Sequence, residues 1–223
     1  MKKKKVVIIG AGGFGREVLD IIDACNVVED KIEALGYVID SQYGKPGNIV
    51  NEKPILGDFE WLERYSDEVY VTCGIGSSHL RYQLVQRALN INCRFINLIH
   101  PSAIFTRWIS IGKGVVIAAG CILTNQIKIG NHVHLNLSCT IGHDVDLQDF
   151  VTLSPGVHVS GNTTIETGCY IGTGVNMVEK ITISSWSIIG AGSTVVGDIP
   201  SNTTVVGVPG KVIKEREPEW YLK

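Results

Sequence analysis

No run of eighteen apolar residues occurs in this chain of 223, so it offers no helix able to cross a bilayer. No C-x-x-C spacing joins any of its six cysteines (25, 73, 93, 121, 139 and 169), which therefore read as reduced, mostly buried thiols. No H-x-x-x-x-H pair occurs among His132, His134 and His158, so zinc is not expected. Charge of either sign is nearly balanced at a net −2, and nothing global calls for nucleic acid or an anionic membrane. The opening "MKKKK" resembles a secretion signal only briefly. Arg16 and Glu17 cut short the apolar stretch after it, and no small-residue cleavage site follows. The lysines read as solvation of a first strand, and a cytoplasmic protein is expected.

What the chain does have is a period. Stepping by six from Ile111 gives Ile117, Leu123, Ile129, Leu135, Ile141, Leu147, Leu153, Val159, Ile165, Ile171, Met177, Ile183, Ile189 and Val195, all apolar and without insertion. Four residues after the earlier of these stand Val115, Cys121, Ile127, Val133, Cys139, Val145, Val151 and Val157. A helix would show period 3.6 and a half-buried strand period 2. Period six implies three short sides per 18-residue coil, a parallel β-helix whose aliphatic residues stack inward. Fifteen hexads make five coils, about 24 Å of stack at roughly 4.8 Å per layer. Two partial hexads around "IHPSAIFTRW" begin it. Cys121 and Cys139 are 18 apart, which makes them stacked core rather than redox chemistry. The period alone leaves the hand of the coil open.

Residues 1–97 follow another grammar. "KVVIIG", "EALGYVID", "DEVYVTCG" and "CRFINLI" read as strands, and "GREVLDIIDAC", "DFEWLERY" and "SSHLRYQLVQRALN" as helices. Alternation of this kind implies a small parallel α/β sheet, Rossmann-like in order. The division expected is 1–97 for this domain and 98–223 for the β-helix, with the tail "VVGVPGKVIKEREPEWYLK" leaving register and folding back over the last coil.

Two motifs carry chemistry. "GAGGFG" (residues 10–15) ends a strand, opens a helix and matches G-x-G-x-x-G. Such glycines let backbone approach a phosphate at a helix N-terminus, and Asp40, ending the second strand, is placed to take a ribose hydroxyl. Nicotinamide, a nucleotide or nucleotide sugar, and a bare turn all fit the motif. With about 97 residues there is room for one mononucleotide half, which favours the second. The other motif is His143-Asp144, set near a coil corner and facing outward. One coil further on stands Gly161, which leaves room beside the imidazole and an accessible N–H. A base, an adjacent carboxylate and an open amide describe acyl transfer to an amine or hydroxyl.

The glycine-rich α/β domain, "LIHPSA", unbroken hexads with an inserted "GHD", and "VVGVPGKVI" together resemble the sugar O/N-acetyltransferases of the sialic acid O-acetyltransferase and bacillosamine N-acetyltransferase family. The resemblance covers nearly the whole chain. It implies a left-handed coil and a homotrimer with acetyl-CoA between neighbouring coils. It also implies a UDP- or GDP-linked 4-amino-deoxy sugar held by the N-terminal domain. By position, His143 resembles the general base and Asp144 the acid that raises its basicity. Gly161 and Ala191 resemble the thioester and pantetheine contacts, with Thr152 and Thr173 lining the same groove. Gly12, Gly13, Phe14, Asp40, Ser41 and Gly76 resemble the nucleotide-sugar contacts. Phe14 and Thr152 stand where some members carry histidine. An N-acetyltransferase is the expectation; O-acetylation of a sialic-acid-like sugar and a non-catalytic nucleotide-sensing trimer are the alternatives. A nicotinamide oxidoreductase would need a second substrate domain.

Overall fold

The computed structural model describes residues 3–222, so Met1 and Lys2 of the lysine-rich start lie outside it. The chain divides into two compact units, one of residues up to 76 with 80–101, the other of 77–79 with 102 onward. Among the described residues no helix is long and apolar enough to cross a membrane.

The first unit is a six-stranded sheet. Its strands are β1 (Lys4–Ile9), β2 (Ile32–Val38), β3 (Ile49–Val50), β4 (Lys53–Gly57), β5 (Tyr70–Cys73) and β6 (Arg94–Phe95), in the order β3-β4-β2-β1-β5-β6. β1 pairs in parallel with both β2 and β5, and Val6, Val7, Ile8 and Ile9 are all buried. Four consecutive buried residues are what a central parallel strand covered on both faces requires. Helix α1 (Gly13–Val28) turns Val18, Leu19, Ile21 and Ile22 inward. Helix α2 (Phe59–Tyr65) starts at Asp58, whose carboxylate caps the amides of Glu60 and Trp61. Helix α3 is Ser78–Asn90.

Two features depart from the sequence reading. "CRFINLI" is two short strands, Arg94–Phe95 and Leu98–Ile99, rather than one. The β3–β4 hairpin has no counterpart in that reading. Its turn residues Asn51 and Glu52 both take positive φ, 42° and 63°, the conformation of a tight two-residue hairpin.

The second unit is a left-handed parallel β-helix. Each coil contributes one short strand to each of three sheets, and partners are 18 residues apart, as in Ile122↔Thr140↔His158↔Asn176↔Thr194. From Ile117 to Val195 every sixth residue is buried, and the second inward series continues through Thr163, Cys169, Val175, Ile181, Ser187 and Ser193. The three hydroxyls in that series are satisfied internally: Thr163 donates to the Val178 carbonyl, Ser187 to Pro200, and Ser193 accepts from the Gly207 amide. Every sixth residue from Gly114 to Gly192 also has φ between 55° and 74°. The left-handed conformation turns the chain at each corner, and the period is therefore backbone as well as packing.

Cys121 and Cys139 are buried in the stack and donate to the Asn136 and Ser154 carbonyls. Burial pushes the thiols of Cys73 and Cys169 up to about 12 and that of Cys93 to about 11, so they stay protonated near neutrality. Ile104 already bridges Ile122, which starts the coil within "SAIFTRW". At the other end the tail forms a hairpin. Thr203–Val206 extends one sheet in parallel beside Ile188–Ile189, and Lys211–Glu215 returns antiparallel along it. Tyr221 then stacks on Trp186 with ring centroids 3.7 Å apart, so the tail is held along one sheet and corner.

Candidate active site

His143 lies between the strands Thr140–Ile141 and Asp146–Leu147, at the corner where one sheet hands over to the next. Asp144 occupies the left-handed position of that corner, φ 58°, and its amide donates to the Asn125 carbonyl. So turned, its Oδ2 lies 2.8 Å from His143 Nδ1. The side chains remain 62% and 52% exposed, open to a substrate. With Nδ1–H donating to the carboxylate, Nε2 carries the lone pair.

The next coil supplies the partner surface. A Cβ added at Gly161 would fall 2.7 Å from both Nε2 and Cε1 of His143, so the imidazole rests directly over this glycine. Gly142 permits the approach from below, since a Cβ there would lie 2.6 Å from the Gly161 nitrogen. The Gly161 N–H has no hydrogen-bond partner among the described residues. At another corner the equivalent amides of Asn131, Thr167 and Ser185 are taken by Asp149, Gln148 and Glu166. An open donor beside a base is a geometry suited to a developing oxyanion.

Thr173 and Ala191 are exposed, but they stand at a different corner, after the strands Tyr170–Ile171 and Ile188–Ile189. The Ala191 N–H is likewise unpaired among the described residues, and Gly172 lies beneath it as Gly142 lies beneath Gly161. Thr152 sits on a sheet face, buried, and accepts a hydrogen bond from the Ser78 hydroxyl at 3.1 Å. One chain therefore brings together His143, Asp144 and Gly161, but not Thr152, Thr173 or Ala191. The histidines weighed for metal go elsewhere: His132 stacks on Phe150 and His158 Nδ1 pairs with the Thr140 hydroxyl at 2.7 Å. Among the described residues no group of three His, Cys, Asp or Glu converges as a metal site.

In the first unit the glycines of "GAGGFG" divide three tasks. Gly10 turns the chain at φ 98°, Gly12 borders open space, and Gly15 packs so closely that a Cβ would lie 2.1 Å from the Gly10 carbonyl oxygen. Gly12 begins α1 with no side-chain cap, and Gly12 and Gly13 are both exposed at the helix start. A cavity of about 650 Å³ opens there, lined by Gly12, Asp40, Tyr43, Phe59, Ile75 and Leu84 among others. Ser41 borders a neighbouring, smaller cleft with Trp61 and Arg64. Gly76 adjoins Ile75, and the guanidinium of Arg81, wholly buried, donates to the carbonyls of both. Sequence reasoning missed Arg81, and also Arg87, which pairs with Asp40 at 3.0 Å.

Residues 5–88 match the PglD N-terminal domain family. The UDP-N-acetylbacillosamine N-acetyltransferase of Bacillus subtilis (strain 168) is 33% identical over 126 residues, 52% of this chain and 52% of that one. The match thus spans about half the length of that curated relative. The acetyltransferase domain of PglB from Neisseria gonorrhoeae FA1090, solved in complex with acetyl coenzyme A, is 31% identical. It superposes with a TM-score of 0.86 over 95% of this chain and 100% of that chain. A histidine-to-asparagine variant of perosamine N-acetyltransferase from Caulobacter crescentus, in complex with CoA and GDP-perosamine, is 28% identical. Its TM-score is also 0.86, over 95% of this chain and 97% of that chain. These neighbours are hexapeptide-repeat acetyltransferases. The chain belongs to the sugar N-acetyltransferases of the bacillosamine and perosamine type.

Proposed function

We propose that the protein transfers an acetyl group from acetyl-CoA to the amine of a 4-amino-deoxy sugar carried on UDP or GDP. The observation that carries this is the His143 imidazole, oriented by Asp144 and resting over the unpaired Gly161 amide. In the reaction the sugar amine forms a C–N bond to the thioester carbonyl carbon while Nε2 of His143 accepts its proton. The carbonyl oxygen, now negative, accepts from the Gly161 N–H. Collapse breaks the C–S bond, and the proton held on His143 passes to the departing thiolate. No acyl-enzyme forms. The first unit holds the nucleotide at the Gly12–Gly13 turn and Asp40. Acetyl-CoA runs between neighbouring coils of a homotrimer, where Thr173 and Ala191 of one protomer approach the His143 corner of the next. The acetyl-CoA and GDP-perosamine complexes of the relatives support this assignment of ligands.

The test is release of CoA thiol on adding a UDP- or GDP-linked 4-amino sugar to protein and acetyl-CoA. Thiol should appear in step with the acetylated sugar. In His143→Ala, kcat should fall by about 10² or more while acetyl-CoA affinity is kept, because other residues line its groove. Turnover near wild type in that variant would remove His143 from the chemistry. Failure of every such sugar to release thiol would remove the substrate class.

A further inference from the structure

The cavity of the first unit is closed on one side by a single face of α3. Leu80, Leu84 and Arg87 follow one another at helical spacing, and the two leucines line the cavity wall. Arg87 sits at the end of that row. Its Nη1 lies 3.0 Å from Asp40 Oδ1, and its guanidinium carbon lies 4.0 Å above the centre of the Phe59 ring. Asp40 and Phe59 both line the cavity themselves. Phe59 is buried and Asp58 caps its helix, so the ring is a fixed platform. Arg87 is thereby restrained from two directions, by a π face and by a carboxylate.

The consequence falls on Asp40. Its Oδ1 is engaged by Arg87, while its Oδ2 has no partner among the described residues. A lone aspartate at a strand end, half exposed, would rotate about its side-chain bonds. Held through one oxygen, it presents the other as a fixed, charged acceptor at the cavity rim. We infer that Arg87 is a positioning residue which, through Asp40, makes the site selective for a ribose carrier over a 2′-deoxyribose one. The inference rests on the nucleotide-sugar reading and narrows it: UDP or GDP is accepted and dTDP is disfavoured. Arg87 touches neither reacting atom. Its guanidinium engages Oδ1 and aims the carboxylate, so that the 2′-hydroxyl donates to Oδ2.

Calorimetric titration of the full chain with UDP, GDP, dUDP and dGDP tests this. One ribonucleotide should bind, and its 2′-deoxy counterpart should bind about tenfold or more weakly, the scale of a lost hydrogen bond to a charged group. In Arg87→Gln the ribonucleotide should weaken and the ribo-to-deoxy ratio should fall towards one. In turnover the loss should appear in KM for the sugar nucleotide, with kcat held within about twofold. Arg87→Lys, which keeps the charge but not the planar fork, should restore part of the ratio. A ratio unchanged in Arg87→Gln overturns the inference. So does an equal loss for ribo and deoxy ligands, which would mean that Arg87 binds the diphosphate or base directly. Binding of neither UDP nor GDP to the wild-type protein is a different failure, since it would remove the nucleotide reading itself.

Discussion

A single methyl group at Gly161 separates packing from chemistry at the His143 corner. The φ of Gly161 lies outside the left-handed region, so alanine meets no backbone strain there. Its Cβ would nonetheless come within 2.7 Å of the imidazole, and one of the two must move. The imidazole is the softer party, being a largely exposed side chain whose one side-chain partner among the described residues is Asp144. Gly161→Ala should therefore unfold at nearly the wild-type urea midpoint, a change within about 1 kcal/mol. Turnover should still fall by about 10²-fold, because in the proposed mechanism a displaced imidazole no longer faces the attacking amine. Loss of the fold would show that the glycine serves the coil. Full activity would show that acyl transfer happens elsewhere.

At the scale of one strand, the inward residues should dominate stability and the outward ones should not. Leu153 is wholly buried in the stack, whereas Thr164 stands outward on a sheet face. Leu153→Ala should cost about 2–5 kcal/mol by urea unfolding. Thr164→Ala should stay within about 0.5 kcal/mol. Equal effects would mean that the hexad pattern is not the source of the fold. That pattern was legible because one period sets inward packing, corner conformation and the 18-residue neighbour at once. It is why His143 and Gly161 could be paired from sequence. Elements without a period were not legible. Asn51-Glu52 turns the β3–β4 hairpin through positive φ without the glycine that usually signals it. Arg87 and Asp40 are 47 residues apart, and only the packing of α3 beside the sheet brings them together. The family resemblance implies a place in the groove for Thr152. It is buried instead, and its hydroxyl accepts from Ser78 of the same unit.

At the scale of the whole molecule, the proposed groove, with its residues divided between two corners, calls for a second chain. His143 and Gly161 mark the turn out of the sheet that contains Thr140–Ile141, and Thr173 and Ala191 mark turns into it. One prism cannot fold its own corners together, so a groove that uses both needs the corner of a neighbour. The surface between those corners is suited to being covered: Ile122, Leu137, Val178 and Val196 are all exposed along it or at its edges. A contact between two different corners would be heterologous, and such contacts form a ring where the rotation closes; the family resemblance implies three subunits. A ring of three is the expected assembly, at three times the 24.3 kDa of one chain by light scattering. Leu137→Asp should place a charge in that contact while leaving the coil interior alone. The variant should elute as a folded monomer, with unchanged circular dichroism and turnover reduced by about 10²-fold, because the second wall of the acetyl-CoA groove is gone. A wild-type monomer with full activity would overturn the shared groove. So would a monomeric Leu137→Asp variant that turns over normally.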